Sequence, residues 1–257
     1  MIGPSRWLQE LGALVYPPAC RLCGAAVDEV DGGQVACELH RLPHGPEGPR
    51  CGRCCAGLPD FLPDGRRCAG CRLHPPGWDR AVCLADYRED QATREWLMAL
   101  KHGGRRELGR VLGAALGAAW MDRGPRFAPD ALLCPIPLHP LRRWERGYNQ
   151  AWGLALGLSA ATGLRCVDLL ERKRVTAPQG ALASPPRKAN VAGAFRAVDF
   201  RSRRFVGREV WLVDDVSTSG ATASVAAREL RRAGLGPVGL AVVGVARGST
   251  TRQDERP

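Results

Sequence analysis

The stretch Val210-Trp211-Leu212-Val213-Asp214-Asp215-Val216-Ser217-Thr218-Ser219-Gly220-Ala221-Thr222 decides how this chain is read. Four apolar residues form a buried strand, two carboxylates follow, and a small hydroxyl- and glycine-rich turn leads into a helix. A parallel α/β sheet places its ligand at such a junction, off the carboxyl ends of the strands. The turn can aim several backbone N–H groups at one anion, and the helix adds its positive N-terminal end. The aspartates would repel that anion. They suit ribose hydroxyls or a hard Mg²⁺ ion. A phosphorylated sugar satisfies both halves of the segment.

A second junction of this kind lies upstream. Ala131–Ile136 reads as a buried strand and residues 149–162 as an Ala/Leu helix that Asn149 can cap. Between them, Arg142, Arg143 and Arg146 form a basic loop broken by Gly147. Facing the aspartates, this loop would take the other anionic end of a bisphosphorylated ligand. Residues 80–87 read as a strand; 91–101 and 105–121 read as helices with apolar residues on one face, parted by Gly103-Gly104. Lys101 could reach a phosphate from there. Its first reading is a helix-ending lysine favoured by the dipole.

The N-terminal part has a different composition. Cys20 and Cys23, then Cys37 and His40, recur 31 residues later as Cys51 and Cys54, then Cys68 and Cys71. Each unit has the spacing C-x2-C-x13-C-x2-[CH], and Zn²⁺ wants four tetrahedral N/S ligands, two from each tight turn. Two local sites are expected, one Cys₃His and one Cys₄. Interleaved pairing stays open, as does substitution of His44 or Cys55 for a ligand. Both zinc ions are expected to be structural, because the segment holds little apolar material and needs its metals to fold. Cys83, Cys134 and Cys166 fall in apolar runs and read as core.

Eleven cysteines with no secretory signal argue for metal rather than disulfides, and for the cytoplasm. No stretch has the length of an uncharged membrane span; residues 7–16 read as a short amphipathic helix. The formal charge is +11, lowered to about +8 once thiolates hold zinc. From Arg172 to Arg208 ten basic residues meet one acidic residue, Asp199, which favours a polyanion, either pyrophosphate or nucleic acid. Trp144, Tyr148 and Trp152 are candidate stacking residues for single-stranded DNA, against a core role. The expected organisation is a metal module over 1–78 with a linker at 72–79, an α/β domain over 79–247, and a disordered tail over 248–257.

The Asp214-Asp215 segment resembles the loop that binds phosphoribosyl pyrophosphate (PRPP) in type I phosphoribosyltransferases, with Ser219 in place of a threonine. Other stretches are similar to the ComF family of phosphoribosyltransferase-like proteins. They are Pro135-Ile-Pro-Leu-His139, Arg142-Arg143, Arg146-Gly-Tyr-Asn-Gln-Ala151, the Pro17–Gly24 knuckle and Leu100-Lys101-His102-Gly103. Thr176, Gln179, Arg187, Asn190, Val191 and Phe195 agree as well. The resemblance runs from about residue 8 to 247. It implies a zinc-finger module before a type I phosphoribosyltransferase fold, a parallel sheet with helices on both faces. It also implies that Asp214 and Asp215 engage the ribose and residues 218–222 the 5′-phosphate, with Val216 and Ser217 also among the PRPP-binding residues, that Arg142, Arg143 and Arg146 take the pyrophosphate with Mg²⁺, and a link to DNA uptake. Residues 137–148 would be the pyrophosphate loop and 172–193 a flexible loop over the site. Two alternatives follow: an enzyme of the glycosyltransferase type, or a PRPP-sensing accessory factor on single-stranded DNA without turnover. A glutamine-dependent amidotransferase is not expected, since position 2 is Ile rather than a cysteine nucleophile and no glutaminase domain is present. His40 stands where the family usually has Cys, and Pro185-Pro186 is unusual in the flexible loop.

Overall fold

The computed structural model describes residues 19–27, 36–43, 45, 47–102, 104–138, 144, 147–172, 193–199 and 203–246. Their helices are α1 (Ala69–Leu73), α2 (Gln91–His102), α3 (Glu107–Arg123), α4 (Gln150–Thr162) and α5 (Ala221–Arg232). Their strands are β1 (Arg80–Asp86), β2 (Leu132–Pro135), β3 (Arg165–Cys166), β4 (Leu170–Arg172), β5 (Phe195–Ala197), β6 (Val210–Ser217) and β7 (Val238–Val245). The expected helix at 7–16, the loop at 173–192 and the tail at 248–257 lie outside the described residues.

Five strands form one parallel sheet in the order β1-β7-β6-β2-β3. A sheet covered on both faces needs strands apolar at every position rather than at alternate ones. β7 and the first four residues of β6 meet that need. Trp211 and Val213 face a layer built from α2, α3 and α4, while Val210 and Leu212 face the layer of α5, Phe195 and Phe205. The fold is therefore α/β, with helices on both faces, as the sequence led us to expect. β4 and β5 pair antiparallel outside the main sheet.

Two packing features fix the helices that carry the site. Trp211 lies against Trp120 at 4.3 Å between ring centroids, and its indole N–H donates to the buried Glu209 at 2.6 Å. Glu209 also takes Arg80 at 2.8 Å and the Ala128 N–H at 2.8 Å. Helices α3 and α4 meet along glycines. A Cβ on Gly113 would stand 2.1 Å from the Leu154 carbonyl oxygen, and one on Gly157 2.1 Å from that of Arg110. The helices can approach this closely only where side chains are missing.

The expected linker at 72–79 is exposed over residues 72–75 but tied down at its end. Trp78 is fully buried in the sheet core, and its indole N–H donates to the Arg53 carbonyl at 2.5 Å. Arg53 donates back to the Trp78 carbonyl at 2.9 Å, and Gly77 lies against the backbone of Ser224 on α5. Local composition (His-Pro-Pro-Gly) suggested an exposed tether; one large indole, worth about 2–3 kcal/mol when buried, overrides it. Cys83 and Cys134 are buried as expected, while Cys166 on the edge strand is only partly so.

Candidate functional site

Strands β6 and β2 are neighbours, with Val213 beside Pro135, so the loops that leave them emerge at the same edge. β6 continues through Asp214 and Asp215 to Ser217. The carboxylates are held by the strand's own backbone. The Asp215 N–H donates to Asp214 Oδ1 at 2.9 Å, and the Val216 N–H to Asp215 Oδ1 at 2.6 Å. Two further groups converge on Asp215 Oδ2: Lys101 Nζ at 3.1 Å, from the last turn of α2, and Gln150 Nε2 at 3.3 Å, from the first turn of α4. Lys101 is thus more than a helix-ending lysine, the role its position suggested.

Asp214 is in a different state. Burial, with the charge of Asp215 beside it, pushes its pKa up to about 8, although the Asp215 N–H, Lys101 and Arg172 pull the other way. An acid that is largely protonated therefore sits next to a carboxylate neutralised by an ammonium.

Past Ser217 the chain turns. Gly220 adopts φ +72°, the left-handed conformation that a β-carbon disfavours, and α5 starts at the next residue. The Ala221 N–H points to Ser219 Oγ at 3.4 Å. Residues 216–223 and Asp214 line a hollow of about 50 Å³ against Leu240 and Val242. That is more room than one water's share of about 30 Å³, at the positive end of a helix. Thr218, Ser219, Gly220, Ala221 and Thr222, the residues expected at the 5′-phosphate, line this hollow together with Val216 and Ser217.

Arg142, Arg143 and Arg146 lie outside the described residues. The ends of their loop are described, and they are tied down. Asn149 caps α4 by accepting from the Ala151 N–H at 3.1 Å, and its amide donates to the Ile136 carbonyl at 3.0 Å, closing the loop at its base. The Tyr148 hydroxyl donates to the Leu100 carbonyl. Arg106 reaches the Gly147 carbonyl at 3.3 Å and stacks over the Tyr148 ring. Sequence reasoning missed Gln150 as a partner of Asp215. The sequence suggests a phosphate within reach of Lys101, but nothing local marks Asp215 as its partner.

The cysteines sort as sequential units. Cys20, Cys23, Cys37 and His40 form one group and Cys51, Cys54, Cys68 and Cys71 another, with the ligand atoms of each within 4.8 Å of one another. A tetrahedral ion with Zn–S bonds of about 2.3 Å requires sulfurs roughly 3.8 Å apart. The observed edges are 3.8 Å for Cys23–Cys37 and 3.7 Å for Cys54–Cys68. His40 turns Nδ1 into its group, 3.3 Å from the Cys37 sulfur and 3.7 Å from that of Cys20. Its Nε2 faces Glu95 at 3.6 Å, a carboxylate placed to orient a ligating imidazole. Both groups could hold zinc. In the second, the hydrogen bond from Cys54 lowers the Cys51 thiol to about 4, and the same contact raises that of Cys54.

The first group also packs on the site helix. The Trp96 indole donates to the His40 carbonyl at 3.0 Å, and Arg105 donates to the Leu22 carbonyl at 2.9 Å.

No family model matches the chain. Curated relatives do. It is 34% identical over 198 residues to the DNA utilization protein YhgH of Escherichia coli K12, covering 73% of this chain and 80% of that protein. The chain belongs to the ComF family. Competence protein F of Haemophilus influenzae is 30% identical over 191 residues, with 73% and 80% covered. ComFC, a competence protein of Streptococcus pneumoniae, is 31% identical over 168 residues, with 65% and 70% covered. Solved structures similar to this ComF-family chain include the allosteric regulatory enzyme of purine biosynthesis (20% identity, TM-score 0.37). Another is the glutamine PRPP amidotransferase of B. subtilis (17%, TM-score 0.35). Each covers 54% of this chain, which spans about a quarter (26%) of either. Among the described residues no helix is long and apolar enough to cross a membrane.

Proposed function

We propose that this is a PRPP-binding, phosphoribosyltransferase-like protein of the cytoplasm that supports DNA uptake and natural transformation. The observation that carries the reading is the pair Asp214-Asp215 at the end of β6, directly before the hollow at the start of α5. The hollow suits the 5′-phosphate and the carboxylates suit the ribose hydroxyls. The base of the arginine loop lies at the same sheet edge, where Arg142, Arg143 and Arg146 would receive the pyrophosphate. The DNA-related role comes from relatives whose names state competence and DNA utilization.

If the ligand turns over, C1 of the ribose loses pyrophosphate through a cationic transition state. The chain's part is then to hold the ribose by its hydroxyls, fix the 5′-phosphate, and place cations where negative charge develops. Mg²⁺ bound with PRPP would neutralise the leaving pyrophosphate. The two Cys-rich groups would hold structural zinc, cross-linking a segment with few apolar contacts of its own.

The second reading keeps the pocket as a PRPP sensor on a protein that binds single-stranded DNA. One observation favours it: Trp144, in the arginine loop, is 86% exposed, as a stacking residue must be. Tyr148, tied to Leu100, suits that role less.

The test is PRPP affinity with and without Mg²⁺, for the native chain and for Asp214→Asn with Asp215→Asn. Saturable, Mg²⁺-dependent binding lost in the double variant is expected; no binding by the native chain removes both readings. Pyrophosphate release over a panel of nucleobases and amines then separates enzyme from sensor. A DNA affinity that does not fall with salt argues against the second reading.

A further inference from the structure

The contacts of Asp215 point to a role for Lys101, resting on the PRPP reading above. An ionised carboxylate offers about four acceptor positions. On Asp215 three are occupied: Oδ1 by the Val216 N–H, and Oδ2 by Lys101 and Gln150. A vicinal diol brings two O–H donors, so one resident donor has to leave when both hydroxyls of a ribose turn to Asp215.

The two side-chain donors differ in their freedom to do so. Gln150 is 3% exposed and sits in the first turn of α4, behind the Asn149 cap and the Asn149–Ile136 bond. Lys101 is the reverse case. Its side chain is 20% exposed on a flexible four-carbon stem, while the carbonyl of its neighbour Leu100 is pinned by Tyr148. The backbone stays and the ammonium swings. A half-buried ammonium loses its carboxylate partner in this exchange, and the ligand that displaces it brings phosphates.

We propose that Lys101 is an exchanging cation. It pairs with Asp215 in the empty site and passes to the pyrophosphate of PRPP when the ribose hydroxyls take Asp215.

The experiment compares two ligands on the full, zinc-loaded chain with Mg²⁺. PRPP carries the diol, the 5′-phosphate and the pyrophosphate; ribose 5-phosphate lacks only the last and is measured by competition with PRPP. Lys101→Met keeps the stem and removes the charge. It should weaken PRPP binding about tenfold or more, yet leave ribose 5-phosphate unchanged or tighter, because its competitor for Asp215 is gone. Lys101→Arg should restore most of the PRPP affinity. Gln150→Met, whose donor does not exchange, should weaken both ligands by a similar factor. Equal losses for both ligands in Lys101→Met would reduce the lysine to a positioning role and overturn the proposal. So would PRPP affinity unchanged from the native chain. A native chain that binds neither ligand removes the PRPP reading itself, a result distinct from either of these.

Discussion

Replacing Asp214 with Asn should make the ligand-free protein more stable, and increasingly so as pH rises. Folding lifts the Asp214 pKa from 3.8 to about 8. The folded state therefore holds a proton that the unfolded chain has already lost between those two values. Stability is fully present below about pH 4 and is lost as pH rises toward 8, the opposite of a salt-bridged aspartate. Each pH unit inside the window costs about 1.4 kcal/mol. Between pH 6 and pH 8 the native chain should lose about 2 kcal/mol more than Asp214→Asn, allowing for partial ionisation near pH 8. Using the change between two pH values cancels any fixed cost of the amide, and contributions common to both proteins, including zinc release, cancel in the comparison. Urea unfolding of the zinc-loaded native and variant proteins at the two pH values measures this double difference. An equal loss in both proteins, or a native chain that gains on the variant toward pH 8, would refute the account of Asp214 as an acid kept neutral by burial and by Asp215.

Two other outcomes follow from geometry. Gly113→Ala should lower the melting temperature although alanine favours the helix by about 1 kcal/mol. The added carbon would stand 2.1 Å from the Leu154 carbonyl oxygen, and overpacking of that kind costs about 1–3 kcal/mol; a higher melting temperature would show that the α3–α4 seam is looser than described. His40→Ala should reduce bound zinc from two ions per chain to one, because Nδ1 supplies the fourth corner of the first group. Metal analysis of the purified variant reads this directly, and two retained ions would remove His40 as a ligand.

The parts of the fold that were legible beforehand rest on local chemistry. An all-apolar run ending in Asp-Asp can only be a covered strand whose end meets solvent, and β6 is that strand. Asn149 before an Ala/Leu run is a cap by virtue of its own side chain. The 31-residue recurrence of ligands reflects a property of each tight turn, which is why the cysteines sort into sequential groups. What was not legible depends on residues that meet only after folding. Lys101 looks like any lysine at a helix end, and nothing near it announces Asp215. Gln150 reads as one more residue of a helix start. Trp78 sits among His, Pro and Gly that signal a tether, while the pocket that buries it is made by residues far along the chain.

Helix α2 has a consequence for how the chain can vary in length. Near its middle, Glu95 faces His40 and Trp96 holds the His40 carbonyl; at its end, Lys101 meets Asp215. Six residues separate Glu95 from Lys101, about 9 Å of helical rise. One residue inserted between them would turn the lysine by about 100° and advance it by about 1.5 Å, so no single register serves both neighbours. The segment acts as a gauge between the Cys20–His40 group and the Asp215 carboxylate. These two turns of helix cannot absorb an insertion.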